Sequence, residues 1–160
     1  MTHPHLRVAE ESDAQLLLDF MRQYYAFDGH AFDQSKARAA LINFLRNASF
    51  GRAWLICDQA TPVGYIVLAL GYSLEYLGPD AFIDEFFLLE SHRSRGWGRQ
   101  AMEFVEDYAR SVGVRSIHLE VVRANRRALE VYRKLGFVDH EHHLMSKWIE
   151  RGFPKPGTAE

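Results

Sequence analysis

The chain has 160 residues, 48% of them hydrophobic and 25% charged, with a formal net charge of −2. That balance is ordinary for a globular protein with a real core, and it excludes the strong basic field that draws a protein to nucleic acid or to a membrane surface. The single cysteine, Cys57, excludes an internal disulfide and fits a reducing compartment. The longest apolar run, Val63 to Leu70, is too short to span a bilayer, and Met1-Thr2-His3-Pro4-His5 carries no signal-peptide pattern, so a cytoplasmic location is expected.

In chain order, Leu6-Arg7-Val8 is a short strand candidate. Ser12 or Asp13 can cap a helix running to about Tyr25. Its Leu16, Leu17, Phe20, Met21 and Tyr24 recur at three- and four-residue steps and predict one buried face. Phe27-Asp28-Gly29-His30 breaks this helix. A second follows from about Gln34 to Asn47, with Ala37, Leu41, Phe44 and Leu45 inward. Ala53 to Cys57 and Val63 to Leu70 read as two strands of a hairpin, joined by a turn over Asp58 to Pro62. Ser73 to Asp80 reads as a loop carrying Glu75, Tyr76, Gly78 and Pro79.

Phe82 to Leu89 is the strongest strand pattern and the predicted central strand. A helix from about Arg99 to Ser111 follows, with Met102, Val105, Tyr108 and Val112 as its apolar stripe and Gly113 as its stop. Ser116 to Val122 reads as a strand, and Asn125 to Leu135 as a helix stopped by Gly136. Phe137-Val138-Asp139 and Leu144 to Ile149 read as two final strands. No repeat, low-complexity block or linker interrupts the chain. One domain over residues 1–150 is expected, with a mobile tail, Arg151 to Glu160, that holds Pro154, Pro156 and Gly157. The order is β-α-α-β-β-β-α-β-α-β-β, an α/β fold around one mixed sheet.

Between the central strand and its following helix lies His92-Arg93-Ser94-Arg95-Gly96-Trp97-Gly98-Arg99-Gln100-Ala101. A strand, a basic loop with two glycines and then a helix is a device for holding phosphate. Gly96 and Gly98 can adopt angles that a Cβ forbids. Successive backbone N–H groups then form a nest for oxygen anions, next to the positive end of the new helix. Arg93, Arg95 and Arg99 add side-chain charge. On a nearly neutral protein, this points to a small anionic ligand. Gly96 to Ala101 also fits the dinucleotide fingerprint G-x-G-x-x-A, with Glu120 near the place of the ribose-binding acid. Topology argues against that reading. About forty residues remain after Glu120, with one clear helix, where several βα units would be needed.

The segment from 82 to 137 resembles the GNAT superfamily of N-acetyltransferases. Arg93-Ser94-Arg95-Gly96-Trp97-Gly98 matches that family's signature of Arg or Gln, two residues, Gly, one residue, then Gly or Ala. Asn125, Ala128, Tyr132 and Gly136-Phe137 match its second signature on the later helix. Trp97, where a smaller aliphatic residue is usual, and Glu90, where proline is common, are departures that remove no N–H from the nest. The resemblance implies acetyl-CoA as co-substrate, with no metal. It places the pyrophosphate on the backbone of Arg93, Ser94, Arg95, Gly96, Trp97, Gly98 and Arg99. It places the pantetheine arm along Phe87, Leu88 and Leu89, on a central strand that splays from its neighbour. Asn125 would bind the arm. It precedes Tyr132 by about two helical turns, or roughly 10 Å, so both can line one extended ligand.

Acetyl transfer to an amine requires a neutral amine, a stabilised oxyanion and a leaving thiolate. An alkyl amine has a pKa near 10.4, so neutralising it at pH 7 costs about 4–5 kcal/mol, which a general base or proton wire removes. Asp84 and Glu85 are the acids at hand. Strict strand alternation predicts that they point to opposite faces, so that only one looks into a given site. Diamine acetyltransferases carry an acidic pair at this place. By resemblance Asp84 is the base and Glu85 a substrate-binding acid, although the residues themselves leave open which of the two, or a water chain, takes the proton. Tyr132 is the expected general acid for the thiolate, since a phenol of pKa near 10 is protonated at pH 7. Leu88 N–H is the expected oxyanion donor.

The acids favour a cationic acceptor: a polyamine, a lysine-like amino acid, an aminoglycoside or a protein lysine, with Glu75 and Asp28 as rim charges. The alternative is a non-catalytic acyl-CoA sensor, for which Tyr132 beside two acids would have no use. Resemblance also implies a homodimer, and an acceptor pocket around Tyr24, Tyr25, Asp28 and His30, residues that surface packing explains equally well. Other groups read more plainly. Asn125 is also a natural helix cap, Glu120 is solvent-facing or structural, and Cys57 is a small core residue. His140-Glu141-His142-His143 falls in a turn without helical ligand spacing, so no metal site is expected.

Overall fold

The structure, a computed structural model, describes residues 3–149. The tail beyond Ile149 predicted to be mobile lies outside the described residues. The elements are β1 (His5–Val8), α1 (Ala14–Phe27), α2 (Gln34–Arg46), β2 (Gly51–Asp58), β3 (Thr61–Ser73), β4 (Gly78–Leu88), α3 (Trp97–Ser111), β5 (Ser116–Leu119) and α4 (Arg126–Lys134). They form an α/β fold around one five-stranded mixed sheet in the order β1-β2-β3-β4-β5, antiparallel except for the parallel β4–β5 pair.

The sheet is covered on both faces, which is why β2 and β3 read as continuous apolar runs. On one face, Trp54, Ile56, Ile66, Leu68 and Ile83 pack against Trp97, Ala101, Met102 and Val105 of α3. On the other, Ala53, Leu55, Tyr65 and Val67 pack against Leu17, Leu18 and Phe20 of α1 and Leu41 of α2. Cys57 is buried in this second cluster. Among the described residues, no helix is long and apolar enough to cross a membrane.

Local signals shift some boundaries. A 3₁₀ turn, Glu11–Asp13, precedes α1. The Asp13 carboxylate does not cap the helix; it accepts the Glu10 N–H at 2.9 Å and holds Arg7 through two bonds of 2.8 and 2.7 Å. The stretch expected to be a long loop, 73–80, is a tight turn over residues 74–77 between β3 and β4. Glu75 lies in that turn, about 20 Å of strand before Asp84, and so is no rim charge of the site.

The two final strands expected at 137–139 and 144–149 do not form. A strand needs an edge to pair with, and this segment folds back on α4 instead. Phe137 N–H donates to Tyr132 O at 3.0 Å, its ring packs edge-on to Tyr132 at 5.8 Å, and Asp139 accepts from Arg133 Nε at 3.0 Å. Val138, Leu144, Met145 and Ile149 are left exposed.

Candidate active site

Three features of β4 and the chain that follows it build the site: a bulge, a split and a loop. The bulge is at Asp84. Ile83 pairs with Leu68 and Glu85 with Val67, so Asp84 is the extra residue. It reverses the side-chain phase of the strand. Ala81 and Ile83 face α3 before it, Glu85 and Phe87 face α1 after it, and Phe86 and Leu88 then face α3. The strict alternation behind the expectation for Asp84 and Glu85 does not hold at this inserted residue; Asp84 lines the cavity described next, and Glu85 turns to Tyr25 of α1.

The split begins one residue earlier. Pairing between β4 and β5 stops at Ile83 and Leu119, while β4 continues to Leu88. A cavity of about 250 Å³ opens there, lined by Asp84, Ile83 and Phe86 of β4, Leu119 and Glu120 at the end of β5, Tyr24 of α1 and Tyr132 of α4. Beyond the split the strand edge is free. Leu89 N–H donates to Val63 O of β3 at 2.9 Å. By strand alternation Leu88, like Phe86, turns its N–H and C=O to the open edge, whereas Phe87 turns its groups to β3. Of the three residues expected along the pantetheine arm, Leu88 is the one whose backbone groups face the open edge. The Phe87 side chain is buried against Phe20 and Tyr65, and Leu89 packs between the two cores.

The loop runs from a 3₁₀ turn at Glu90–His92 to the start of α3. Ser94 and Gly96 are both left-handed, with φ of 65° and 79°. Two such residues around Arg95 turn neighbouring N–H groups to one side, the geometry of an anion nest. A left-handed serine is uncommon, and Ser94 is held by Arg127 of α4, whose Nη2 donates to its hydroxyl. The first intrahelical bond of α3 runs from Gln100 N–H to Gly96 O at 3.1 Å, so the N–H groups of Trp97, Gly98 and Arg99 precede the ladder. Gly98 differs from its expectation: its φ is not positive, and it lies within the first turn of α3 beside the Phe86 ring. The Trp97 side chain is not a ligand group; it is buried in the core against His92, 5.1 Å between rings.

The other expected residues sort by contact. Arg93 does not reach into the nest; its Nε donates to Leu88 O at 2.7 Å, and its guanidinium stacks on Phe87 and Phe27. Arg95 and Arg99 are exposed, and Arg99 is 3.5 Å from Glu103. Asn125 Oδ1 accepts Ala128 N–H at 3.1 Å and caps α4. Among the described residues, no group of His, Cys, Asp and Glu is placed to hold a metal ion.

Electrostatics separate the two acids. The Glu85 carboxylate accepts from Tyr25 Oη at 2.7 Å and Tyr65 Oη at 2.9 Å. Burial lifts its pKa to about 7 against the pull of both phenols, with Asp84 adding to the rise. Tyr25 and Tyr65 are in turn held well above the usual phenol range, by burial first and then by the Glu85 charge. Asp84 keeps an exposed edge toward the cavity, and packed surroundings raise its carboxyl. Burial likewise raises Tyr132 and Tyr24, the latter also through Asp28. Both phenols across from Asp84 therefore stay protonated at neutral pH. Tyr65 escaped the sequence reading because it is one ring within an apolar strand. Phe86 did so because the bulge that aims it at the cavity was not visible.

An anion nest, a strand edge freed by a split and a cavity lined by both an acid and a tyrosine thus follow one another along β4 and the loop after it. Residues 14–137 match the family model described as the acetyltransferase (GNAT) family. The chain belongs to this family. An uncharacterized N-acetyltransferase of Bacillus subtilis is 36% identical over 73 residues, 46% of each chain, so that match spans about half of that relative's length. The thialysine N-epsilon-acetyltransferase of mouse is 23% identical over 147 residues, 87% of this chain and 86% of that one. Among solved structures, an integron cassette protein from the mobile metagenome of Cole Harbour Salt Marsh is 32% identical with a TM-score of 0.81, covering 91% of this chain and 90% of that one. A Clostridium acetobutylicum acetyltransferase solved with acetyl-CoA shares the fold, with a TM-score of 0.76 at 17% identity over 90% of this chain and 96% of that one. This chain thus carries a GNAT-family acetyltransferase domain.

Proposed function

We propose that this GNAT protein moves acetyl from acetyl-CoA directly to a primary amine, on a cationic small molecule or a lysine side chain. The observation that carries the reading is Asp84 and Tyr132 lining one cavity at the β4–β5 split. An acid and a phenol on the two sides of a reaction space are what direct transfer uses. The carboxylate takes the ammonium proton, and the phenol gives one to the thiolate.

The burial-raised pKa of Asp84 makes it a stronger base than an ordinary carboxylate. Glu85 is less suited to take the proton, because both its oxygens already accept phenol bonds; its charge, with Asp28, favours a cation nearby. Tyr132 is the acid. Leu88 N–H, at the open edge, is the donor for the oxyanion that forms on the thioester carbonyl. The nest at Ser94 to Arg99 holds the pyrophosphate. The carbonyl and amide of Leu88 pair with the pantetheine arm, and Asn125 flanks it from the start of α4. The mouse relative's name, which specifies the ε-amine of thialysine, supports an amine acceptor.

The test is thiol release from acetyl-CoA against polyamines, lysine analogues, aminoglycosides and lysine peptides, run beside calorimetry for acetyl-CoA. Turnover with one class, lost in Asp84→Asn and Tyr132→Phe while acetyl-CoA still binds, is the expected result. Full turnover in both variants would overturn the assignment of roles.

A further inference from the structure

We infer that Arg93 is a positioning residue that couples the free edge of β4 to the end of α1, so that acetyl-CoA binding loosens that helix end. The inference rests on the proposed function, in that Leu88 O is taken as a partner of the pantetheine arm.

Arg93 Nε bonds Leu88 O at 2.7 Å, which places the guanidinium on the free edge of β4 that the arm would use. The same guanidinium lies 5.6 Å from the Phe87 ring centroid and 5.3 Å from that of Phe27, the last residue of α1. Phe27 is otherwise 68% exposed, so the cation is its main anchor. Residues 28–33 connect this point to α2. Two residues of the last turn of α1 are then tied to β4 separately, Tyr25 through Glu85 and Phe27 through Arg93. Tyr24, just before them in sequence, lines the reaction cavity.

An amide of the arm that pairs with Leu88 O competes with Arg93 Nε for the same approach. Once displaced, Arg93 leaves the Phe27 ring, and the nearby nest gains a cation. The helix end loses its anchor on the acceptor side of the cavity.

The reporters are the amides of Asp28, Gly29 and His30, which donate to Tyr24 O at 3.1 Å, Ala26 O at 3.4 Å and Tyr25 O at 2.9 Å. Amide hydrogen exchange is followed on the full chain, with and without saturating acetyl-CoA, alongside calorimetry. In wild type, exchange at these three amides should rise about two- to fivefold on binding, the loss expected for one cation–π contact. In Phe27→Ala the amides should exchange fast from the start and not respond, with acetyl-CoA affinity within threefold of wild type. Unchanged or slowed exchange in wild type with acetyl-CoA bound would overturn the coupling, as would a full response in Phe27→Ala. No acetyl-CoA binding would overturn the underlying reading and the coupling with it; calorimetry distinguishes that failure from binding without a response.

Discussion

The hydroxyl of Tyr25 donates to Glu85 Oε1 at 2.7 Å, linking the end of α1 to the residue just after the β4 bulge. A second phenol, Tyr65, takes the other oxygen. Two neutral donors offset only part of the burial cost of the charge, so the carboxyl titrates near 7 in the folded protein and near 4.5 when unfolded.

That difference fixes the sign of a pH effect. The folded state binds the proton more tightly, so the contribution of Glu85 to stability is fully present below pH 4.5 and is lost as pH rises through 7. The loss by pH 8 is on the order of 3 kcal/mol. Glu85→Gln, which stays neutral, should flatten the dependence between pH 4.5 and 8 and be relatively more stable at the alkaline end. Urea unfolding at pH 5 and pH 8 checks this. An equal pH slope in wild type and variant would show that Glu85 does not titrate there.

The loop before α3 makes opposite predictions for its two glycines. Gly96 has φ of +79°, where a Cβ costs about 1–2 kcal/mol, and its strain would reshape the nest. Gly96→Ala should lower stability by that amount and weaken acetyl-CoA at least tenfold. Gly98 lies in α3, and an added Cβ would meet the Phe86 ring at 3.5 Å, an ordinary contact. Gly98→Ala should keep the melting temperature and hold acetyl-CoA affinity within threefold. Thermal denaturation and calorimetry on both variants decide; equal losses would mean the loop is not shaped by Gly96.

Tyr132→Phe removes a hydroxyl at the cavity without a volume change. Its ring still packs on Phe137 and the core, so folding and acetyl-CoA affinity should hold. Without the acid the thiolate leaves unprotonated, and turnover should fall about ten- to hundredfold. Single-turnover acetylation beside calorimetry measures this, and an unchanged rate would remove Tyr132 from the mechanism.

What the sequence showed and what it hid follow one physical line. The helices and β2 to β5 were legible because each buries an apolar face and carries its own period. The loop was legible because its glycines, arginines and following helix lie together in the chain. The Asp84 bulge was not, since register belongs to a pair of strands: it appears only when Val67 and Leu68 are set opposite Glu85 and Ile83. The two expected strands after Gly136 failed for the same reason, because apolar alternation supplies no partner edge. Arg93 looked like phosphate charge, and only the fold brings Phe27 and Leu88 O to it.

Asp84 gives the sharpest kinetic prediction. In wild type, kcat/KM should rise with pH along an acidic limb that reports a carboxyl raised above the ordinary aspartate value by its packed surroundings. In Asp84→Asn the proposed base is gone, so the amine that is already neutral carries the reaction. The rate at pH 7 should then fall about 10²- to 10⁴-fold. The profile should climb toward the amine's own pKa near 10.4, narrowing the gap to wild type as pH rises. Glu85→Gln should instead raise KM for a cationic acceptor more than it lowers kcat, since it removes charge and not the base. The pH–rate profiles of both variants separate the roles. If Asp84→Asn keeps the wild-type limb and Glu85→Gln loses it, the base is Glu85.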